Sequence, residues 1–267
     1  LGARIGGIGI GFAGGAGVIA LSLILGVPTS QAYIPVDVIL IIMSVITAIA
    51  AMQVAGGLDW MVQVAENFLR KHPERITFYA PIVTYLMTLM AGTGHTAFST
   101  LPVIAEVAKG QGVRPSRPLS IAVVASQIAI TASPISAAVV AFAAMLHPFG
   151  VDYLTLLAIC IPTTFIACMI GAFVANFMGC ELKDDAEYQE RLEKGLIKLN
   201  TEAKREILPT AKKATFIFLG AIAFVVCYAA AISGSVGLIE NPALGRNEAI
   251  MTVMLAAAAA IVMSCKI

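Results

Sequence analysis

Two short stretches of this sequence place polar, chemically useful groups inside otherwise apolar surroundings. The first is Gly92, Thr93, Gly94, His95 and Thr96, with Ser99 shortly after; the second is Thr131, Ala132, Ser133, Pro134, Ile135 and Ser136, with Gln127 just before it. Within hydrocarbon, broken backbone is tolerated only where it is enclosed by protein or lines a watery cavity, so such interruptions mark a site. Hydroxyls, an amide and backbone N–H groups freed at helix ends can hold an anionic group such as a carboxylate without a cationic side chain. Neither stretch contains Lys or Arg, and His95 is the only ionisable residue in them. The imidazole could donate to a carboxylate or relay a proton; a neutral histidine satisfied by nearby backbone is an equally good reading.

The elements that must position these groups follow from composition. The chain has 267 residues, 59% hydrophobic and 12% charged, with a mean hydropathy of +0.90, which excludes an ordinary soluble domain. Apolar runs close to the ~20 residues that span a bilayer recur, separated by charged segments, so the fold class is an all-α polytopic membrane protein. Plain spans are read at Ile5 to Val27, Val36 to Gly57, Tyr153 to Met178, Ala214 to Ile232 and Glu248 to Cys265. Between the second and third lie residues 76–112 and 118–147, which hold the two polar stretches.

Basic residues cluster at Arg70, Lys71 and Arg75, at Lys109, Arg114 and Arg117, and from Lys183 to Lys213. These clusters should face the cytoplasm. Residues 76–112 begin and end beside cytoplasmic clusters and must therefore cross an even number of times. Two full crossings need about 40 residues plus a turn, whereas Phe78 to Ala91 and Ala97 to Ala108 are two short arms. A re-entrant hairpin with its tip at Gly92 to Thr96 fits best, and two short tilted spans joined by an external turn are the alternative. Residues 118–147 must cross once, and Pro134 should kink or unwind the helix around Ala132 and Ser133. Proline and hydroxylated residues are also common in intact membrane helices, so the break alone does not require a site. Counting this broken helix, about six spans plus the hairpin are expected.

Several further runs carry a resemblance. Gly6 to Gly15, Met52-Gln53-Val54-Ala55-Gly56-Gly57-Leu58-Asp59, Leu101-Pro102-Val103-Ile104-Ala105-Glu106-Val107-Ala108 and Gln127 to Val140, in that order over nearly the whole chain, resemble the anaerobic C4-dicarboxylate transporter (Dcu) family. The resemblance implies exchange of fumarate, malate or aspartate for succinate across the bacterial inner membrane, with no organic cofactor. A channel, or a carrier for another small organic anion, is the alternative. It also implies an inverted-repeat architecture, with residues 1–180 as the first repeat, 181–213 as a charged cytoplasmic linker and 214–267 as the start of a second. The sequence is accordingly expected to be an N-terminal fragment. Expected partners are C4-dicarboxylate substrates and the lipid bilayer, with a sensor kinase docked on the linker and a second copy of the chain left open; no nucleic acid is expected.

Other features read more plainly. Leu58 to Lys71 alternates polar and apolar residues at helical spacing and suits an interfacial helix. Cys160, Cys168, Cys180, Cys227 and Cys265 lack metal-ligand spacing and read as small helix residues. The sequence from Gly9 to Gly14 has a GxGxxG pattern without a preceding strand, so a nucleotide loop is rejected in favour of close helix packing. No HExxH, paired intramembrane carboxylates or Ser/His/Asp set points to an enzyme.

Overall fold

The computed structural model describes residues 2–5, 9–28, 36–179, 181–194, 207–232, 239 and 244–266, and among them every regular element is helical. Helices are the economical solution for so apolar a chain, because each satisfies its own backbone hydrogen bonds. Residues 1–37 and 38–267 form separate units. In the first, α1 (Gly2–Ile5) lies against α2 (Gly9–Leu25), where a Cβ on Gly2 would sit 2.7 Å from Ala13 Cβ. Residues 6–8, part of the glycine-rich run, lie outside the described set.

The second unit holds α3 (Val36–Val54) from Val38 onward, α4 (Gly57–Lys71), α5 (Ile76–Ala91), α6 (His95–Phe98), α7 (Leu101–Gly110), α8 (Ser116–Ile128), α9 (Ala137–Leu146), α10 (Tyr153–Asn176), α11 (Ala186–Glu193), α12 (Ala211–Ala231) and α13 (Arg246–Cys265). Of the roughly six spans expected, three helices are long and apolar enough on their own: Tyr153–Asn176, Ala211–Ala231 and Asn247–Cys265. A fourth is met only if α3 and α4, bent by 70° at a short break, are taken together. Gly9–Leu25 is a shorter apolar helix of 17 residues. Residues 118–147 divide between α8, of 13 residues beginning at Ser116, and α9, of 10 residues.

The bend between α3 and α4 has a local cause. Gly56 adopts φ 79°, a left-handed conformation suited to glycine, and a side chain there would press on Leu208 at 3.2 Å. The N-terminal part of α12 closes the corner: Thr210 Oγ1 donates to the Ala55 carbonyl at 3.2 Å and Thr215 Oγ1 to the Gly57 carbonyl at 3.0 Å. Trp60 packs on Phe216 with ring centroids 5.6 Å apart. Beyond the corner, α4 buries Met61, Val62, Ala65 and Leu69 and carries Asp59, Glu66 and Arg70 among its other residues, the one-sided pattern of a helix lying along a boundary.

The scaffold around the polar stretches is the packing of α5 on α8 and of both on α10. Small residues allow it, since Ala80, Ala122 and Ala125 are fully buried and permit close backbone approach. Thr84, also fully buried, donates to the Ala122 carbonyl at 2.9 Å across that interface while remaining within 3.1 Å of Ala80 O on its own helix. Tyr85 reaches α10, where its hydroxyl contacts the Ile161 carbonyl at 3.0 Å and Thr164 Oγ1 at 2.9 Å.

At the charged end, Arg117 is buried and clamps the segment leaving α10. Its Nη2 donates to the Gly179 carbonyl at 2.6 Å, its Nη1 to Glu181 at 2.6 Å, and its Nε to the Met178 carbonyl. Gly112 accepts from the Leu182 amide at 3.3 Å and Arg114 pairs with Asp185 at 3.5 Å, so the start of the expected linker is docked on the α7–α8 connection. The Asp185 side chain caps α11 by accepting from the Tyr188 amide, and exposed i,i+4 pairs, Glu187 with Arg191 and Glu190 with Lys194, line that helix. Residues 195–206, the middle of the linker, lie outside the described set.

Candidate functional site

The first polar stretch begins where α5 stops. Gly92 takes φ 69° and returns its amide to Thr88 O at 2.8 Å, the left-handed termination that glycine favours. Gly92, Thr93 and Gly94 are non-helical, and the chain turns helical again at His95. The arm expected as continuous from Ala97 to Ala108 is instead divided. Thr100 Oγ1 donates to the Ala97 carbonyl at 2.8 Å, and α7 starts at Leu101 with Pro102 in its first turn. A proline is accepted there because first-turn amides have no intrahelical partner. The turn is thus Gly92 to Gly94, with His95 and Thr96 opening a one-turn helix rather than completing the tip. The side chains of His95 and Thr96 lie outside the described set.

With 16 residues, α5 is about 24 Å long, and α7 with 10 residues about 15 Å. Both fall short of the ~30 Å hydrocarbon thickness.

The second stretch breaks where Pro134 demands it. α8 ends at Ile128, a 3-10 turn covers Ala129 to Thr131, residues 132–136 are irregular, and α9 starts at Ala137. The Ser136 hydroxyl donates to the Ile130 carbonyl at 2.5 Å and accepts from the Val139 amide at 3.1 Å. That single side chain bridges the gap and caps the first turn of α9. From α10, the buried Tyr153 donates its hydroxyl to the Pro134 carbonyl.

The two interruptions meet. Ser133 Oγ donates to the Leu89 carbonyl in the last turn of α5 at 2.8 Å. A Cβ on Gly92 would lie 2.9 Å from Ile135 Cγ1, and one on Gly94 would lie 2.6 Å from Gln127 Nε2. Gly92 and Gly94 therefore permit close approach of the hairpin turn to the broken helix. Ser133 and Ser136 are buried, whereas Gln127 and Thr131 are exposed and Gly92, Thr93 and Ser99 half-buried.

The division of labour among these residues is only partly what their types suggest. Ser133 and Ser136 spend their hydroxyl hydrogens on carbonyls of the fold, and Thr131 back-bonds to Ile128 O at 2.7 Å. Their oxygens can still accept, but their donors are engaged, so Ser133 and Ser136 chiefly shape the break. Gln127, beside Gly94 and exposed, presents an amide with two donors. Tyr153 and the Leu89 carbonyl were not singled out in the sequence; a tyrosine in an apolar helix, whose hydroxyl needs a partner when buried, was the available signal. Thr88, fully buried one turn before Gly92, was hidden in the same way by its helical setting. Among the described residues no three His, Cys, Asp or Glu side chains converge as a metal site would require.

This geometry is a pair of helix interruptions sharing one interface, with small residues at the contact. Residues 1–267 match the family described as anaerobic c4-dicarboxylate membrane transporter. The chain belongs to that family. A Wolinella succinogenes protein named C4-dicarboxylate transporter DcuA is 63% identical over the whole chain, which covers 61% of that relative. Proteins of the same name from Helicobacter pylori strain J99 and Escherichia coli strain K12 are 53% and 52% identical, again over the whole chain and covering 60% and 61% of their lengths. The chain thus spans about three-fifths of these relatives. No solved structure matches it. Membership in a family of membrane transporters agrees with the apolar helices.

Proposed function

We propose that this chain forms part of a secondary carrier for C4-dicarboxylates in the bacterial inner membrane, exchanging fumarate, malate or aspartate inward for succinate outward. Gly92 to Thr96 with Ser99, and Gln127 with Thr131, hold one part of the substrate, while Ser133, Pro134 and Ser136 set the break beside them. The observation that carries this reading is the junction of the two interruptions, with Ser133 bonded to Leu89 O and Gly94 set against Gln127. Discontinuous helices that meet in this way are how carriers bring backbone amides to a carboxylate within the membrane. The names of the relatives supply the substrate class.

In this reading residues 1–180 are a first repeat, 181–213 a connector and 214–267 the start of a second repeat, with the remaining substrate contacts supplied by the second. The Ser133 bond and the Thr84 bond to Ala122 O join the hairpin and the broken helix, so the two travel as one body in an elevator or rocking motion. Counterflow by the full-length protein in proteoliposomes tests the function: succinate loaded inside the vesicles should drive saturable uptake of external labelled fumarate against its gradient. Flux that rises without saturation and shows no counterflow would point to a channel instead.

A further inference from the structure

Far from the interruptions, the connection from α4 to α5 encloses a second feature. Lys71, His72, Pro73, Glu74, Arg75 and Tyr79 line a cleft of about 240 Å³. Two of the lining rings, His72 and Tyr79, lie 5.4 Å apart between centroids, and both contact Phe68 at 5.1 and 5.3 Å. Pro73 begins a 3-10 turn that sets Arg75 immediately before α5. Neighbouring Arg70 is committed elsewhere, both guanidinium Nη atoms meeting the Glu106 carboxylate at 3.0 and 2.9 Å. Lys71 and Arg75, by contrast, take part in no ion pair among the described residues. Two cations and the Glu74 carboxylate leave the cleft at +1, counted as 1 + 1 − 1.

We propose that this cleft binds a phosphate-ester anion at the cytoplasmic membrane surface. The position fits: α4 is amphipathic and α5 apolar, so their junction lies at the headgroup layer, where basic pockets recognise anionic lipid. The charge fits a phosphodiester, which carries one negative charge. Lys71 offers a point charge and Arg75 a planar fork, the two donor types that phosphate oxygens accept, and the Tyr79 phenol supplies a further donor. The cleft opens at the start of α5, about 24 Å of helix from Gly92, so it is separate from the proposed dicarboxylate site and does not depend on it. The same chemistry belongs to a phospholipid headgroup and to a soluble phosphate ester.

Native mass spectrometry of the detergent-released full-length protein distinguishes these sources. Phosphatidylglycerol, phosphatidylcholine and glycerol 1-phosphate are titrated in turn against wild type, Lys71→Gln/Arg75→Gln and Glu74→Gln. Wild type should retain phosphatidylglycerol over phosphatidylcholine, the double variant should lose that preference by about tenfold, and Glu74→Gln, which removes the opposing charge, should strengthen it several-fold. Glu74→Gln keeps the test decisive if the double variant fails to fold. The same ordering with glycerol 1-phosphate, and no lipid preference, would assign the cleft to a soluble ester. Phosphatidylglycerol and glycerol 1-phosphate affinities that are alike in wild type and Glu74→Gln would overturn the proposal.

Discussion

Gly92 is the residue on which the hairpin turn depends most narrowly. Its φ of 69° and the 2.9 Å separation between a built Cβ and Ile135 penalise any side chain twice. Gly92→Ala is expected to cost about 1–3 kcal/mol from backbone strain, plus whatever displacement of Ile135 adds, read as a lower unfolding midpoint in detergent. Ser133→Ala should cost less, about 0.6–1 kcal/mol, because it removes one hydrogen bond to a carbonyl in an apolar setting. A Gly92→Ala protein as stable as wild type would mean that the turn is not built this way. At this scale the sequence was informative where chemistry is local. Glycine, threonine and proline announced both interruptions, but nothing along the chain shows that the Ser133 and Ser136 hydroxyls donate within the fold or that Tyr153 reaches Pro134, because those partners are set by tertiary packing.

Arg117 shows how elements are fixed at the charged end of the bundle. Its side chain is 8% exposed and holds two carbonyls and a carboxylate at the end of α10. Arg117→Lys keeps the charge but not the fork and is expected to lose about 1–3 kcal/mol, since buried carbonyls lose charge-assisted bonds. Chemical denaturation of the purified protein measures it, and a change below a few tenths of a kcal/mol would show that the clamp is dispensable. The Arg70–Glu106 pair is bidentate but its arginine is 40% exposed. A double-mutant cycle with Arg70→Gln and Glu106→Gln should therefore return less than about 1 kcal/mol. Element existence was legible from hydropathy and periodicity: α4, α10, α12 and α13 fall close to the ranges read from the sequence. The split of the second hairpin arm at Ser99 and Thr100 was not, since Pro102 is compatible both with a helix start and with the continuous segment first read there.

For the molecule as a whole, the apolar composition and the charge distribution indicated a membrane bundle, and the family match placed it among C4-dicarboxylate transporters. What hydropathy could not reveal is that α5 and α8 pack along their length and bring Leu89 against Ser133. Contacts between distant segments leave no periodic trace. The central claim is that the two interruptions form one substrate-binding unit, and exchange kinetics test it most directly. In proteoliposomes of the full-length protein, alanine at Thr93, Thr96, Gln127 and Thr131 together should raise the KM for fumarate by about tenfold or more at normal membrane abundance, as expected when two or more charge-assisted hydrogen bonds are lost. An unchanged KM and an unchanged maximal rate of fumarate/succinate exchange in that variant would contradict it.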